Sequence, residues 1–300
     1  MPHSYPSLPK FNYLRPNSLE EASEFLSKHT DDSRPFLGGT DCFVRMRDGQ
    51  WKVKTLVDIK AISGLDEIRF HEDKGLYIGC AVTMNQIISH PDIHSHYPLL
   101  VQAASSVASY PLRNRATLIG NICNASPAGD TICAAMLYEG ILIIRTSKGE
   151  REESLNSFFQ GPGQTTLKPG EIVAAIQLPP APANQQTTYL KLGRNRAGDL
   201  SIVGVGVIGF PDSTAASGMR FRIALASVAP ITLRATRAEA ILSSAPINDQ
   251  LIEKASGEVR DACQPIDDVR ASAEYRKEMA FNLTLQSVTD IYHRLQTIKS

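Results

Sequence analysis

Apolar residues recur every three or four positions in parts of this chain and every second position, or continuously, in others. The two rhythms predict different elements. A stripe at Leu19, Ala22, Phe25 and Leu26 reads as one helical face, and Ser18-Leu19-Glu20-Glu21 supplies the serine and glutamate of a capping box at its start. Thr83-Met84-Asn85-Gln86 repeats that signal ahead of Ile87 and Ile88, and Leu99 to Val107 predicts a further helix that stops before Pro111. Thr55 to Ile59, Leu76 to Gly79 and Ile141 to Ile144 are β-type runs, the last meeting a tight-turn sequence, Ser147-Lys148-Gly149-Glu150.

Residues 178–185 carry Pro179, Pro180 and Pro182, which discourage a continuous helix or central strand and mark the best boundary in the chain. Beyond it, Thr188 to Lys191, Ile202 to Phe210 and Phe221 to Ala226 read as sheet strands. Helices are expected over Arg234 to Leu242, Gln250 to Cys263 and Ser272 to Leu295. The order is α+β: helix and strand mixed first, then a sheet followed by helices. We expect residues 1–182 to form one domain of two α/β subdomains, split near residue 60, and residues 183–300 a second domain.

Composition narrows the function. The 300 residues are enough for a substantial core, and 31 basic residues balance 31 acidic ones. Zero formal charge gives no electrostatic support for binding nucleic acid or an anionic membrane surface. No stretch approaches the roughly 20 apolar residues of a membrane span, and the N-terminus lacks the apolar core of a signal peptide, so a cytoplasmic location is expected. The five cysteines, Cys42, Cys80, Cys123, Cys133 and Cys263, include no C-x-x-C pair, so neither a bound iron–sulfur cluster nor a disulfide is expected. His90, His94 and His96 lie close together, but Pro91 disrupts any helical ligand face. The segment reads as a polar loop and no metal site is assigned.

Two segments stand out chemically. Phe36-Leu37-Gly38-Gly39-Thr40-Asp41 and the run from Ala116 to Asp130, containing Thr117-Leu118-Ile119-Gly120-Asn121, each join glycine to small hydroxyl, amide or acidic residues. Glycine permits close approach of backbone to a ligand and leaves N–H groups free to face an anion. Neither segment is a G-x-G-x-x-G or a G-x-x-x-x-G-K-[ST] fingerprint. Together they suit a pyrophosphate-bearing dinucleotide held from two sides, with the Thr40 hydroxyl donating and Asp130 accepting from a sugar or ribityl hydroxyl. No nucleophile or general-base constellation is apparent, and no catalytic residue is assigned.

These residues also carry a resemblance. Leu37 to Asp41 matches the A-G-G-T-D loop, and Arg113-Asn114-Arg115-Ala116-Thr117 through Ala125-Ser126-Pro127 to Asp130 matches the second motif, of the FAD-binding medium subunits of the molybdenum hydroxylases. That family includes xanthine dehydrogenase and carbon monoxide dehydrogenase. The similarity continues through Phe158 to Gly163, Leu167 to Ile172, Tyr189-Leu190-Lys191, Ala224 to Pro230 and Ala273 to Arg276.

The resemblance implies a two-subdomain FAD-binding fold followed by a C-terminal antiparallel sheet with helices. It places FAD against Pro35, Phe36, Leu37, Gly38, Gly39, Thr40, Asp41 and Cys42, then Thr117, Ile119, Gly120, Asn121 and Asn124. Asp130, Ile172, Val173 and Lys191 complete the set. It further implies a large partner subunit carrying a molybdenum cofactor, a small partner with two [2Fe–2S] clusters, a dimer of heterotrimers, and an external electron acceptor such as NAD. The chain departs from the family at Ile119, where glycine is usual, and at Ser109-Tyr110-Pro111. A side chain at 119 crowds the phosphates if it faces them and is harmless if it enters the core. A cysteine-rich insertion known in a related reductase is absent after Asp130. Two other readings stay open: a self-sufficient flavoprotein oxidase or dehydrogenase, and a structural subunit that has lost FAD.

Overall fold

The computed structural model describes residues 7–195 and 198–299. Three short parallel strands begin the chain: β1 (Asn12–Leu14), β2 (Ser33–Phe36) and β3 (Thr55–Asp58), ordered β1-β3-β2. Helix α1 (Leu19–Lys28) and helix α2 (Cys42–Arg47) are the connections. Ser18 caps α1 by accepting from the Glu21 N–H, while the Glu21 carboxylate reaches back to the N–H of Asn17 rather than of Ser18. Pro35 lies in β2, an edge strand, where its missing N–H removes no bond from the sheet interior.

A second, fully antiparallel sheet follows, ordered β4-β5-β10-β6-β7, from β4 (Ile68–His71), β5 (Gly75–Gly79), β6 (Ile141–Thr146), β7 (Gly149–Ser154) and β10 (Ile172–Leu178). Between β5 and β6 run six helices: α3 (Met84–Ser89), α4 (Pro91–His96), α5 (Pro98–Ser105), α6 (Tyr110–Arg113), α7 (Leu118–Asn124) and α8 (Asp130–Leu137). Thr83 and Gln86 form a complete capping box on α3. The histidine segment is helix α4 rather than a loop. Pro91 occupies its first turn, where a missing N–H costs nothing. Helix α9 (Leu155–Phe158) and the small hairpin β8 (Phe159–Gly161) and β9 (Gln164–Thr165) precede β10.

After residue 185 the chain forms an antiparallel sheet in sequential order: β11 (Gln186–Leu192), β12 (Val203–Pro211), β13 (Met219–Ala226) and β14 (Leu233–Arg234). Helices α10 (Thr236–Ser243) and α12 (Ala273–Lys299) pack on it, α11 (Asp249–Ala262) packs against these two helices, and α5 and α8 also reach the sheet from the preceding region. The main core therefore runs from α1 through α8 to Ala224 and Ala226 of β13.

One buried cation pins the C-terminal helix. Arg276 in α12 is 2% exposed and donates to the Ile202 and Ser227 carbonyls at 2.8 and 3.1 Å and to Asp268 at 2.6 Å. Arg276→Met leaves the Ile202 and Ser227 carbonyls unpaired and Asp268 with Arg270 alone, and is expected to cost about 2–6 kcal/mol in chemical unfolding. A loss under about 1 kcal/mol would show that the contacts are dispensable. Hydrogen bonds from Arg270 and Arg276 hold the Asp268 carboxyl well below its ordinary 3.8, and Arg151 does the same for Glu171. Depressed carboxyls contribute stability that is present above their unfolded values and lost as pH falls through the folded ones. Stability is thus expected to hold down to about pH 5 and to decline below about pH 4.

Candidate functional site

The first segment turns directly off the carboxyl end of β2. Gly39 has φ +72°, a conformation that side chains rarely adopt, and a Cβ there would lie 2.5 Å from the Phe36 ring. A Cβ on Gly38 would stand 2.1 Å from the carbonyl oxygen of Arg115. The first loop therefore lies against the backbone that leads into the second segment, and only glycine allows that approach. Among the described residues, the N–H groups of Gly38, Gly39, Thr40 and Asp41 donate to no protein acceptor. Four donors without a protein acceptor, in a turn with one left-handed residue, are backbone of the kind that binds anions.

The second segment is helical where composition suggests a loop. Thr117 pairs with Thr83 across an antiparallel bridge and caps α7, its hydroxyl accepting from the Gly120 N–H at 2.9 Å. Ile119 is 1% exposed and packs in the core with Leu118 and Ile122. It leaves the ligand side clear. Ile119→Gly empties that volume inside a helix and is expected to cost about 3–6 kcal/mol in stability, with the FAD affinity of the folded protein unchanged. Weakened affinity at unchanged stability would place Ile119 against the cofactor. Asn121 accepts from the Thr131 hydroxyl at 2.8 Å, and Asn124 ends α7 just before Ala125, whose carbonyl accepts from the Gly163 N–H at 2.9 Å.

Asp130, the first residue of α8, meets Lys191 from 61 positions along the chain. The Lys191 ammonium donates to Asp130 Oδ2 at 2.7 Å and to the Ser106 carbonyl at 3.0 Å, and the Tyr189 hydroxyl donates to Asp130 Oδ1 at 2.8 Å. The two side chains are 7% and 15% exposed. Burial raises the Asp130 pKa, against the pull of Lys191, Tyr189 and Ser201, and burial beside that carboxylate keeps Tyr189 protonated. Tyr189 is the site residue that sequence reasoning left unassigned. The signal was present, since positions 189 and 191 of one strand share a face. Gly204 on β12 makes room for it, because a Cβ there would lie 2.5 Å from the tyrosine hydroxyl.

The remaining candidates spread wider. Pro35 and Asp41 are exposed, Leu37 and Thr40 half-buried, and Phe36 buried beneath the Gly39 turn. Ile172 and Val173 are buried at the start of β10, paired with Arg145 and Ile144 of β6, on the strand that packs against α7. Cys42 opens α2. Burial pushes its thiol up to about 11 and those of Cys80 and Cys123 up to about 12, so all three are protonated at neutral pH.

Residues 9–181 match the model of the FAD binding domain in molybdopterin dehydrogenase, and residues 188–291 match that of the CO dehydrogenase flavoprotein C-terminal domain. The chain belongs to the family of FAD-binding medium subunits of the molybdenum hydroxylases, and is an oxidoreductase component whose cofactor is FAD. It is 31% identical over 280 residues to a putative xanthine dehydrogenase FAD-binding subunit of Escherichia coli K12, covering 93% of this chain and 95% of that one. It is 28% identical to the nicotinate dehydrogenase FAD-subunit of Eubacterium barkeri, covering 95% and 97%. The fold superposes on carbon monoxide dehydrogenase from Hydrogenophaga pseudoflava with a TM-score of 0.90 at 29% identity, over 96% of this chain and 99% of the other. Among the described residues no helix is long and apolar enough to cross a membrane.

Proposed function

We propose that this chain is the electron-transfer subunit of a heterotrimeric molybdenum hydroxylase. In this reading it stands between the [2Fe–2S] clusters of a small subunit and an external acceptor such as NAD, while a large subunit holds the molybdenum cofactor. The observation that supports it most is the row of undonated N–H groups from Gly38 to Asp41, set against the backbone that leads into Thr117–Asn121. FAD, when bound, supplies the redox chemistry.

The chain's residues bind and orient it. The backbone of Gly38, Gly39 and Thr40 holds the pyrophosphate on one side, with Pro35, Leu37, Asp41 and Cys42 shaping that loop, and Thr117 to Asn121 with Asn124 closes the other. The walls contributed by Phe36, Ile172 and Val173 exclude water. Asp130 retains lone pairs beyond those taken by Tyr189 and Lys191, so it can accept from a cofactor hydroxyl while fixing the Lys191 ammonium. Relatives named medium chain, in carbon monoxide dehydrogenase and in the glyceraldehyde dehydrogenase of Sulfolobus acidocaldarius, support a multi-subunit setting. A dimer of such heterotrimers, in the cytoplasm, completes the reading.

Purification through a tag on the chain from its own cells tests this. The expected result is flavin together with iron–sulfur absorption, and co-purification of a molybdenum-containing and a cluster-containing subunit. A yellow chain without partners would favour a self-sufficient flavoenzyme. A colourless chain that FAD does not reconstitute would favour a scaffold.

A further inference from the structure

A buried carboxylate stands directly behind the first glycine loop, and its side chain makes no hydrogen bond or ion pair with a residue assigned to the cofactor. Asp58 ends the central strand β3, in register with Phe36 at the end of β2, and is 1% exposed. Lysine and tyrosine both reach it. The Lys60 ammonium lies 2.6 Å from Asp58 Oδ2, the Tyr13 hydroxyl donates to that same oxygen, and Lys60 also donates to the Tyr13 hydroxyl at 3.0 Å. The Lys60 backbone N–H donates to Asp58 Oδ1 at 3.2 Å, and Arg15 stands 3.7 Å away.

Both partners of the carboxylate bear on one ring. The Lys60 ammonium sits 4.6 Å above the centroid of Phe36, and Tyr13 meets Phe36 edge to face at 5.9 Å. Phe43 of α2 closes a further side at 5.4 Å. The ring thus held is the one against which Gly39 rests, with no room for even a Cβ between them. All of these groups lie at the carboxyl edge of the parallel β1-β3-β2 sheet, the edge from which open parallel sheets bind ligands.

We propose that Asp58 is a positioning residue for the pyrophosphate loop, acting through Lys60, Tyr13 and the Phe36 ring. Isolated, a buried carboxylate is a net cost to folding. Here the Lys60 ion pair and the Tyr13 hydrogen bond offset that cost, and the pairing fixes two side chains that hold the platform of the Gly38–Thr40 turn before any ligand arrives. Precise sites depend on such supporting contacts behind the binding groups. Burial would push the Asp58 carboxyl up, but Lys60 and Tyr13 outweigh it, so the carboxyl stays below its ordinary value and the clamp is charged at neutral pH.

The proposal rests on the reading that the Gly38–Thr40 loop holds the FAD pyrophosphate. Its test is FAD affinity by flavin fluorescence titration of the full apo chain, with ADP as competitor, for Asp58→Asn, Tyr13→Phe, Lys60→Met and Lys60→Arg. Tyr13 and Lys60 are partly exposed, so their variants keep the test informative if Asp58→Asn fails to fold. Loss of an outer supporting partner costs about 10- to 100-fold at metal sites, and a supporting contact of the same kind sets the scale here. Asp58→Asn and Lys60→Met are expected to weaken FAD and ADP by the same factor in that range, and Lys60→Arg to restore most of it. Unchanged FAD affinity, or FAD weakened with ADP unchanged, overturns the clamp. Gly39→Val separates the two claims. If it retains FAD the loop reading itself fails, and if it loses FAD while the Asp58 and Lys60 variants do not, only the clamp fails.

Discussion

Gly38→Ala is expected to weaken FAD binding by about 100-fold or more. The added carbon would fall 2.1 Å from the Arg115 oxygen and 2.7 Å from its carbonyl carbon. Both are backbone atoms, so no rotamer relieves the clash. Either the first loop lifts away or residues 115–116 retreat, and each movement separates the two segments that hold the pyrophosphate in the proposed reading. A shift of about 1 Å suffices to cost about 100-fold at a preorganised site, and 100-fold corresponds to about 2.8 kcal/mol. The measurement is equilibrium FAD binding to the refolded apo protein, with circular dichroism to show that the fold persists. Affinity within threefold of the parent would mean that the approach of the two segments is unrelated to the cofactor.

Asp130→Ala is the second large effect, and it reaches stability as well as binding. A lone carboxylate on a cofactor hydroxyl would be removable at small structural cost. Here Asp130 neutralises Lys191 and orders Tyr189 within a buried site, and it joins α8 to β11. Removing one member of a buried pair leaves the other charge without compensation, which costs about 3–5 kcal/mol. Denaturant unfolding of the apo chain is expected to show that loss, together with FAD weakened by at least about tenfold. Lys191→Met combined with Asp130→Ala should lose less stability than the two single changes added together, because the double change leaves no unpaired charge. Strict additivity would show that the pair does not act as a unit.

Much of the fold was legible because amphipathic elements advertise themselves. α1, α3, α10, α11, α12 and the strands β11 to β13 fall within a few residues of where periodicity placed them. The failures have physical reasons. All eight residues of α8 are buried, so no polar stripe marks it as a helix. In α7 glycine, asparagine and threonine, residues that favour turns, form a cap and a first turn. In α4 a proline counted as a helix breaker sits where helices begin. β1 and β2 are only three and four residues long, too short for a period to register.

The site divides in the same way. The glycines at 38 and 39 signalled close approach, and the structure supplies the surfaces approached, the Arg115 backbone and the Phe36 ring. No sequence rule pairs Asp130 with Lys191, or Asp58 with Tyr13 across 45 residues, because the register of the sheets brings them together. The position of Ile119 was a choice between ligand and core, and its burial decides for the core.

The most direct test of the electron-transfer assignment uses the cluster-bearing partner recovered with the chain. That subunit, chemically reduced and freed of excess reductant, is mixed anaerobically with the FAD-loaded chain while flavin and cluster absorption are followed separately. The account predicts that flavin absorption bleaches as oxidised-cluster absorption returns, and that an external acceptor such as NAD then restores the flavin band. Flavin that stays oxidised beside a reduced, bound partner would contradict it.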